Sequence, residues 1–162
     1  MDIQQFSPIT ACLTKVTLAA GTTSTLSTTG TTTYLIRSKF YTKAALTNQA
    51  TPTTDALTGA AFVAVPANYG SIYAVGFNAA GTLSCVQGTV EALDVNGAFV
   101  QAPNFGGLPL DFAMIGYVVI KAGSTASSAP GWVFGTSNMS SVTGITYTFV
   151  DATGLPDRPQ IS

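Results

Sequence analysis

The chain has 162 residues, enough for one domain that buries a core without staples. Only 8% of them are charged, against about a quarter in typical soluble domains, the formal net charge is −1, and there is no histidine. This balance argues against phosphate-driven nucleic-acid binding, and it removes Ser-His-Asp and Cys-His nucleophile chemistry together with the commonest metal ligand.

Residues 1–12 contain Pro8 and read as an arm or short edge strand, followed by the short β-prone run Leu13–Leu18. The opening MDIQQFSPIT has no positive n-region or long apolar h-region, so no secretory leader is expected. No apolar run reaches the roughly eighteen residues that a membrane span needs. Ala19–Thr33 is rich in Thr, Ser and Gly and reads as a long polar hairpin or loop rather than an adhesive or glycosylated surface, because threonine favours strands; no fixed-length repeat is present. Thr32–Tyr41 alternates as one strand, with Tyr34, Ile36 and Phe40 on one face and Leu35, Arg37, Lys39 and Tyr41 on the other. The 44–61 stretch lacks a period and reads as a loop with one helical turn after Asp55. Phe62–Val65 reads as a short strand stopped by Pro66.

The most organised stretch runs from Ser71 to Ala122. Tyr73, Val75 and Phe77 share one face of a strand, Asn78–Gly81 supplies turn residues, and Thr82–Gln87 restarts an extended run, which makes a β-hairpin. Val90–Leu93 is brief, and Asn96-Gly97 marks a second hairpin tip. Residues 103–112 hold two prolines and two glycines and read as an irregular crossing segment. Met114–Lys121 is the most apolar strand, with Gly116 suited to a bulge or a close backbone approach. Residues 123–131 read as an exposed loop, Trp132–Phe134 as a short aromatic strand, and Thr143–Val150 as a half-buried strand. The ending, residues 151–162, carries Pro156 and Pro159 and reads as an extended tail.

These elements give an all-β chain: a single antiparallel sandwich or barrel-like domain over residues 13–150, between the arm 1–12 and the tail 151–162. Chemistry is sparse. Glu91 and Asp94 have the makings of a glycosidase pair, but solvated acids around a turn are the ordinary reading. Asp94 with Asn96 has the spacing of a partial calcium loop without its remaining acids. Trp132 with Tyr117 or Phe134 offers a sugar-stacking surface, although strand aromatics more often fill a core or an interface. Cys85 reads as a small buried hydrophobe, and pairing between Cys12 and Cys85 is left open by sequence. No cofactor is expected.

The carboxyl-terminal half resembles the head decoration (cement) and head-fibre proteins of tailed bacteriophages. The motifs are Ala80-Gly81-Thr82-Leu83 with Gln87-Gly88, then Ile115-Gly116-Tyr117-Val118-Val119-Ile120-Lys121 after a Pro-rich connection. Gly131-Trp132-Val133-Phe134-Gly135-Thr136 follows, then Thr143-Gly144 leading to Asp151, and the ending Leu155-Pro156-Asp157-Arg158-Pro159-Gln160. The order of these units is the stronger signal, and it covers residues 71–150 and the ending. The chain departs from the pattern at Ala113-Met114, where the family would carry a proline. The resemblance implies a non-enzymatic virion protein, made in the host bacterial cytoplasm and carried on the capsid exterior. It implies a homotrimer bound to the major capsid protein, without nucleic-acid or membrane partners. Candidate interface residues are Trp132 and Phe134 in the aromatic unit, and Leu155, Pro156, Asp157, Arg158, Pro159 and Ile161 in a tail expected to strap onto a neighbour. The competing expectation is a carbohydrate-binding module of a fibre or tail protein that recognises a host-surface glycan.

Overall fold

The computed structural model describes residues 8–152. The strands are β1 (Ala11–Cys12), β2 (Leu18–Ala20), β3 (Thr25–Thr28), β4 (Thr32–Ile36), β5 (Lys39–Lys43), β6 (Gln49–Ala50), β7 (Tyr69–Phe77), β8 (Leu83–Gln87), β9 (Glu91–Ala92), β10 (Ala113–Ala122) and β11 (Ile145–Asp151). They form three antiparallel sheets, ordered β1-β4-β5, β2-β3-β6 and β11-β10-β7-β8, with β9 also pairing β7. The all-β class is as expected; the largest sheet stays open, with β11 and β8 at its two ends, so no barrel closes. Within the N-terminal segment Ala11 and Cys12 form the short edge strand β1, paired with Leu35 and Tyr34, and Asp151 is the last residue of β11.

The β7–β8 hairpin is where alternation placed it. Gly81 takes φ +72°, and the Asn78 side chain accepts hydrogen bonds from the amides of Ala80 and Thr82. Both faces of β7 are covered. Tyr73, Val75 and Phe77 face a core shared with Cys12, Leu18, Leu26, Tyr34 and Ile36 of the small sheets. Ala74, on the other face, packs with Val86 and Phe112 beneath the irregular 103–112 segment. β10 lies between β7 and β11, and both readings of Gly116 hold. The β7 register shifts between Met114 and Gly116, and a Cβ at Gly116 would stand 2.6 Å from the Val150 carbonyl oxygen. Only a residue without a side chain fits beneath β2 and beside β11 there.

Three expectations about strands are corrected. Thr32–Tyr41 is a tight hairpin rather than one strand, because Arg37 and Ser38 both take positive φ (50° and 64°) and reverse the chain. That reversal pairs Tyr34 with Tyr41, whose rings stack at 5.6 Å, and moves Phe40 off the Tyr34 face to lie opposite Leu35. Residues 62–65 make no strand of their own; Ala61 and Val65 contribute single bridges to Thr54 and Trp132. Beyond its bridge at Trp132, the aromatic unit is a turn, within the 123–144 connection that joins β10 to β11. The Ser/Thr-rich stretch does form a hairpin, β2–β3, and one helical turn does follow Asp55.

Candidate assembly surface

Asp94 and Asp55, two acids with catalytic or metal-binding potential, are engaged in hydrogen bonds that hold turns. Asp94 Oδ1 accepts hydrogen bonds from the amides of Asn96 and Ala98, both at 2.8 Å, across the Asn96-Gly97 turn. Those backbone donors, aided by Asn96 and Lys121, hold its carboxyl below the usual aspartate value. Its expected partner Glu91 sits on β9 opposite Gly70. Asp55 is buried and caps the following turn, with Oδ1 accepting from the amides of Leu57 and Thr58 at 2.8 and 2.9 Å. Its Oδ2 accepts from the amide of Gln87 at 2.6 Å, reaching across to β8. Cys12 and Cys85 are both buried and unbridged. Desolvation, with Asp55 nearby, pushes the Cys85 thiol far above its ordinary value, so it is a poor nucleophile. Among the described residues no group of three or more Cys, Asp or Glu side chains gathers as a metal site.

Trp132 and Phe134 are corrected as interface residues. They are 3% and 0% exposed, because the long connection folds back and inserts them into the core. Phe134 stacks on Tyr73 at 4.4 Å, Phe62 meets Phe134 edge-on at 5.3 Å, and Trp132 Nε1 donates to the Asn138 carbonyl at 2.8 Å. The sugar-stacking reading therefore loses its tryptophan, and Tyr117 is half-buried in an edge contact with Phe105. The tail residues Leu155, Pro156, Asp157, Arg158, Pro159 and Ile161 lie outside the described residues.

The apolar surface lies elsewhere, on the sheet β1-β4-β5. Cys12, Tyr34 and Ile36 point into the core, so by alternation Ala11, Leu35 and Phe40 point out. Phe40 is 69% exposed. Ile9, 59% exposed, is tied to the β4–β5 turn: the Ser38 amide donates to its carbonyl and Ser38 Oγ accepts from its amide. Leu110, 79% exposed, lies alongside, its carbonyl accepting from Thr10 Oγ1. Leu110 lines an open groove of about 570 Å³ together with Pro8, Thr10, Leu108, Pro109 and Phe112, with Arg37 beside it. Arg37 and Lys39 also border an adjoining depression with Asp111, where Lys39 sits over the Tyr41 ring.

Sequence reasoning missed this surface for a specific reason. Reading residues 32–41 as one strand put Phe40 beside Tyr34, on the core side. A turn made by Arg-Ser carries none of the Asn or Gly residues by which such turns are recognised. Leu108 and Leu110 were legible only as parts of an irregular segment. No family model matches the chain, and no curated protein or solved structure matches it.

Proposed function

We propose that the chain is a virion structural protein that binds the outer surface of a phage capsid as an oligomer, decorating and stabilising it. The observation that carries this reading is a set of exposed large apolar side chains, Ile9 and Phe40 on the outward side of the sheet β1-β4-β5 and Leu110 at a groove walled by prolines and leucines. A monomer in water gains nothing from large apolar side chains left standing out, whereas a coat subunit gains a contact. Low charge acts in the same direction: with 8% charged residues, little electrostatic repulsion opposes dense packing on a shell. The expected tail strap would add a second contact, and many equivalent contacts on one particle reinforce each other by avidity.

The test is sedimentation of the purified protein with capsids assembled without it. Binding that saturates at a fixed number of copies per capsid, and that weakens at least tenfold in the Phe40→Lys, Leu110→Lys double variant, is the expected result. Two lysines on an exposed face leave the fold intact, so unchanged binding by that variant rejects this face as the contact. No binding by the parent protein rejects the coat reading.

A further inference from the structure

We propose that β11 is a pairing edge on which the β11 strand of a second copy adds antiparallel, joining two five-stranded sheets into one. The proposal deepens the coat-protein reading and rests on it, since it needs copies of the chain to meet. Its ground is how differently the sheet edges are finished. Exposed edges are ordinarily blunted by short length, lysines, prolines, bulges or a covering segment. β6 and β2 have two and three residues. β5 carries Lys39 and Lys43. The β8 edge is covered, its Cys85 carbonyl accepting from the Ala56 amide and its Gln87 amide donating to Asp55.

Among the described residues β11 shows none of these devices; β2 approaches it, the Leu18 amide donating to Asp151 Oδ1. The strand runs seven residues, holds no proline or lysine, carries no charge before Asp151, and keeps an unbroken register with β10 from Ile145 to Asp151. The flanking bonds, Ala152 N–H to the Ile115 carbonyl and Gly123 N–H to the Gly144 carbonyl, set which residues turn their main chain toward β10. By alternation these are Thr146, Thr148 and Val150, so Tyr147 and Phe149 present amide and carbonyl outward. Among the described residues, β11 pairs with β10 alone, and no main-chain partner meets those outward groups.

A second β11 is the occupant because the strand complements itself. With the two-fold axis at Thr148, Tyr147 stands opposite the second copy's Phe149, and Phe149 opposite its Tyr147. On the other face, Thr146 meets Val150 and Thr148 meets Thr148. Aromatic and β-branched cross-strand pairs are the favourable kinds, and no like charges oppose each other. The aromatic pairs also extend the core: Ile145 and Phe149 already pack on its rim, and Tyr147 is 37% exposed beside Phe149. Such a two-fold contact makes pairs and never closes a ring of three. On a trimeric decoration protein it joins one trimer to the next.

Thr148→Cys tests the register. Across the axis Thr148 forms a non-hydrogen-bonded pair, with Cα atoms about 4.5 Å apart, inside disulfide range. Mild oxidation of the full chain should therefore convert most of it to a disulfide-linked dimer. The parent protein should stay uncrosslinked, because Cys12 and Cys85 are buried. Thr146→Cys should crosslink poorly, since two copies of residue 146 lie roughly 13 Å apart in this register. Thr148→Lys and Thr148→Glu should each abolish pairing on size exclusion, and mixing the two should restore it, which no folding defect would do. Equal crosslinking at 146 and 148, or none at 148, overturns the proposal. Capsid binding is read separately on the same proteins. Crosslinking without capsid binding keeps the strand pairing and rejects the coat reading; capsid binding without crosslinking does the reverse.

Discussion

The two ends of the five-stranded sheet are built on opposite principles. At the β8 end a carboxylate and a main-chain amide from outside the sheet satisfy the outward groups of Gln87 and Cys85. Gln87 itself reaches further, its amide side chain bonding Val63 through both its oxygen and its nitrogen and donating to the Tyr73 hydroxyl. Beneath lies the cluster of Phe62, Tyr73, Trp132 and Phe134. At the β11 end no main-chain partner among the described residues meets the outward groups of Tyr147 and Phe149, and these aromatics are half-covered or exposed. Among the described residues, one end is closed by bonds from outside the sheet and the other is not. The stability of this molecule should accordingly be concentrated at the β8 end, and its associations at the β11 end and the Phe40 face.

The largest expected effect tests that asymmetry directly. Phe134→Ala should lower the unfolding free energy by about 3–5 kcal/mol, the usual loss for a fully buried phenylalanine. Phe149→Ala, at the half-covered end, should cost less than half as much. Urea denaturation of both variants checks this, and equal losses would break the comparison.

Next comes the carboxylate that closes the β8 edge. Asp55→Ala leaves the amides of Leu57, Thr58 and Gln87 without their acceptor. The expected loss is about 2–3 kcal/mol, the scale of stranding buried donors. Hydrogen exchange should show the Gln87 amide losing protection while amides of β11 change little.

The smallest effect, at most about 1.4 kcal/mol per group over the first pH unit above 9.0, is a pH dependence on the alkaline side. Burial raises both the Cys85 thiol, from an ordinary 9.0, and the Tyr73 phenol, from an ordinary 10.0. Below 9.0 each is neutral in the folded and the unfolded chain, so its contribution to stability is fully present. As pH rises past 9.0 and then 10.0, the unfolded chain ionises first and stability falls, by at most about 1.4 kcal/mol per pH unit for each group. Cys85→Ala should make the fall above pH 9.0 shallower, leaving the part contributed by Cys12, whose thiol burial also raises, read as urea midpoints across pH 8–11.

Much of the sheet was legible because its signals are local. Alternation through Tyr73, Val75 and Phe77 and a turn with asparagine and glycine specify the β7–β8 hairpin without help from the rest of the molecule. Gly116 was legible as a point of close approach because a glycine inside an apolar strand has few other reasons to be there. What failed was decided by distant parts. Trp-Val-Phe at 132–134 has strand alternation, yet its surroundings are set by residues far along the chain, Val65 and Tyr73 among them. The Arg37–Ser38 reversal misled more, since one unrecognised turn changes the face of every residue after it. That single error hid Phe40, and with it the surface on which the functional reading now stands.

The hydrogen bond from the Leu18 amide to Asp151 Oδ1, 2.9 Å long, joins residues 133 positions apart. It follows that the fold closes late in the life of a newly made chain. A ribosome delivers residues in order, and β10 must wait for residues 145–151 before its outer edge is paired. During that interval the most apolar strand of the molecule, with Val118, Val119 and Ile120, is itself an open edge. Long-range strand pairing is slow and leaves such edges exposed to other chains. The pace of synthesis and the crowd of nascent copies around each ribosome thus bear on how much protein reaches its native state, a demand on the cell that the finished structure no longer displays.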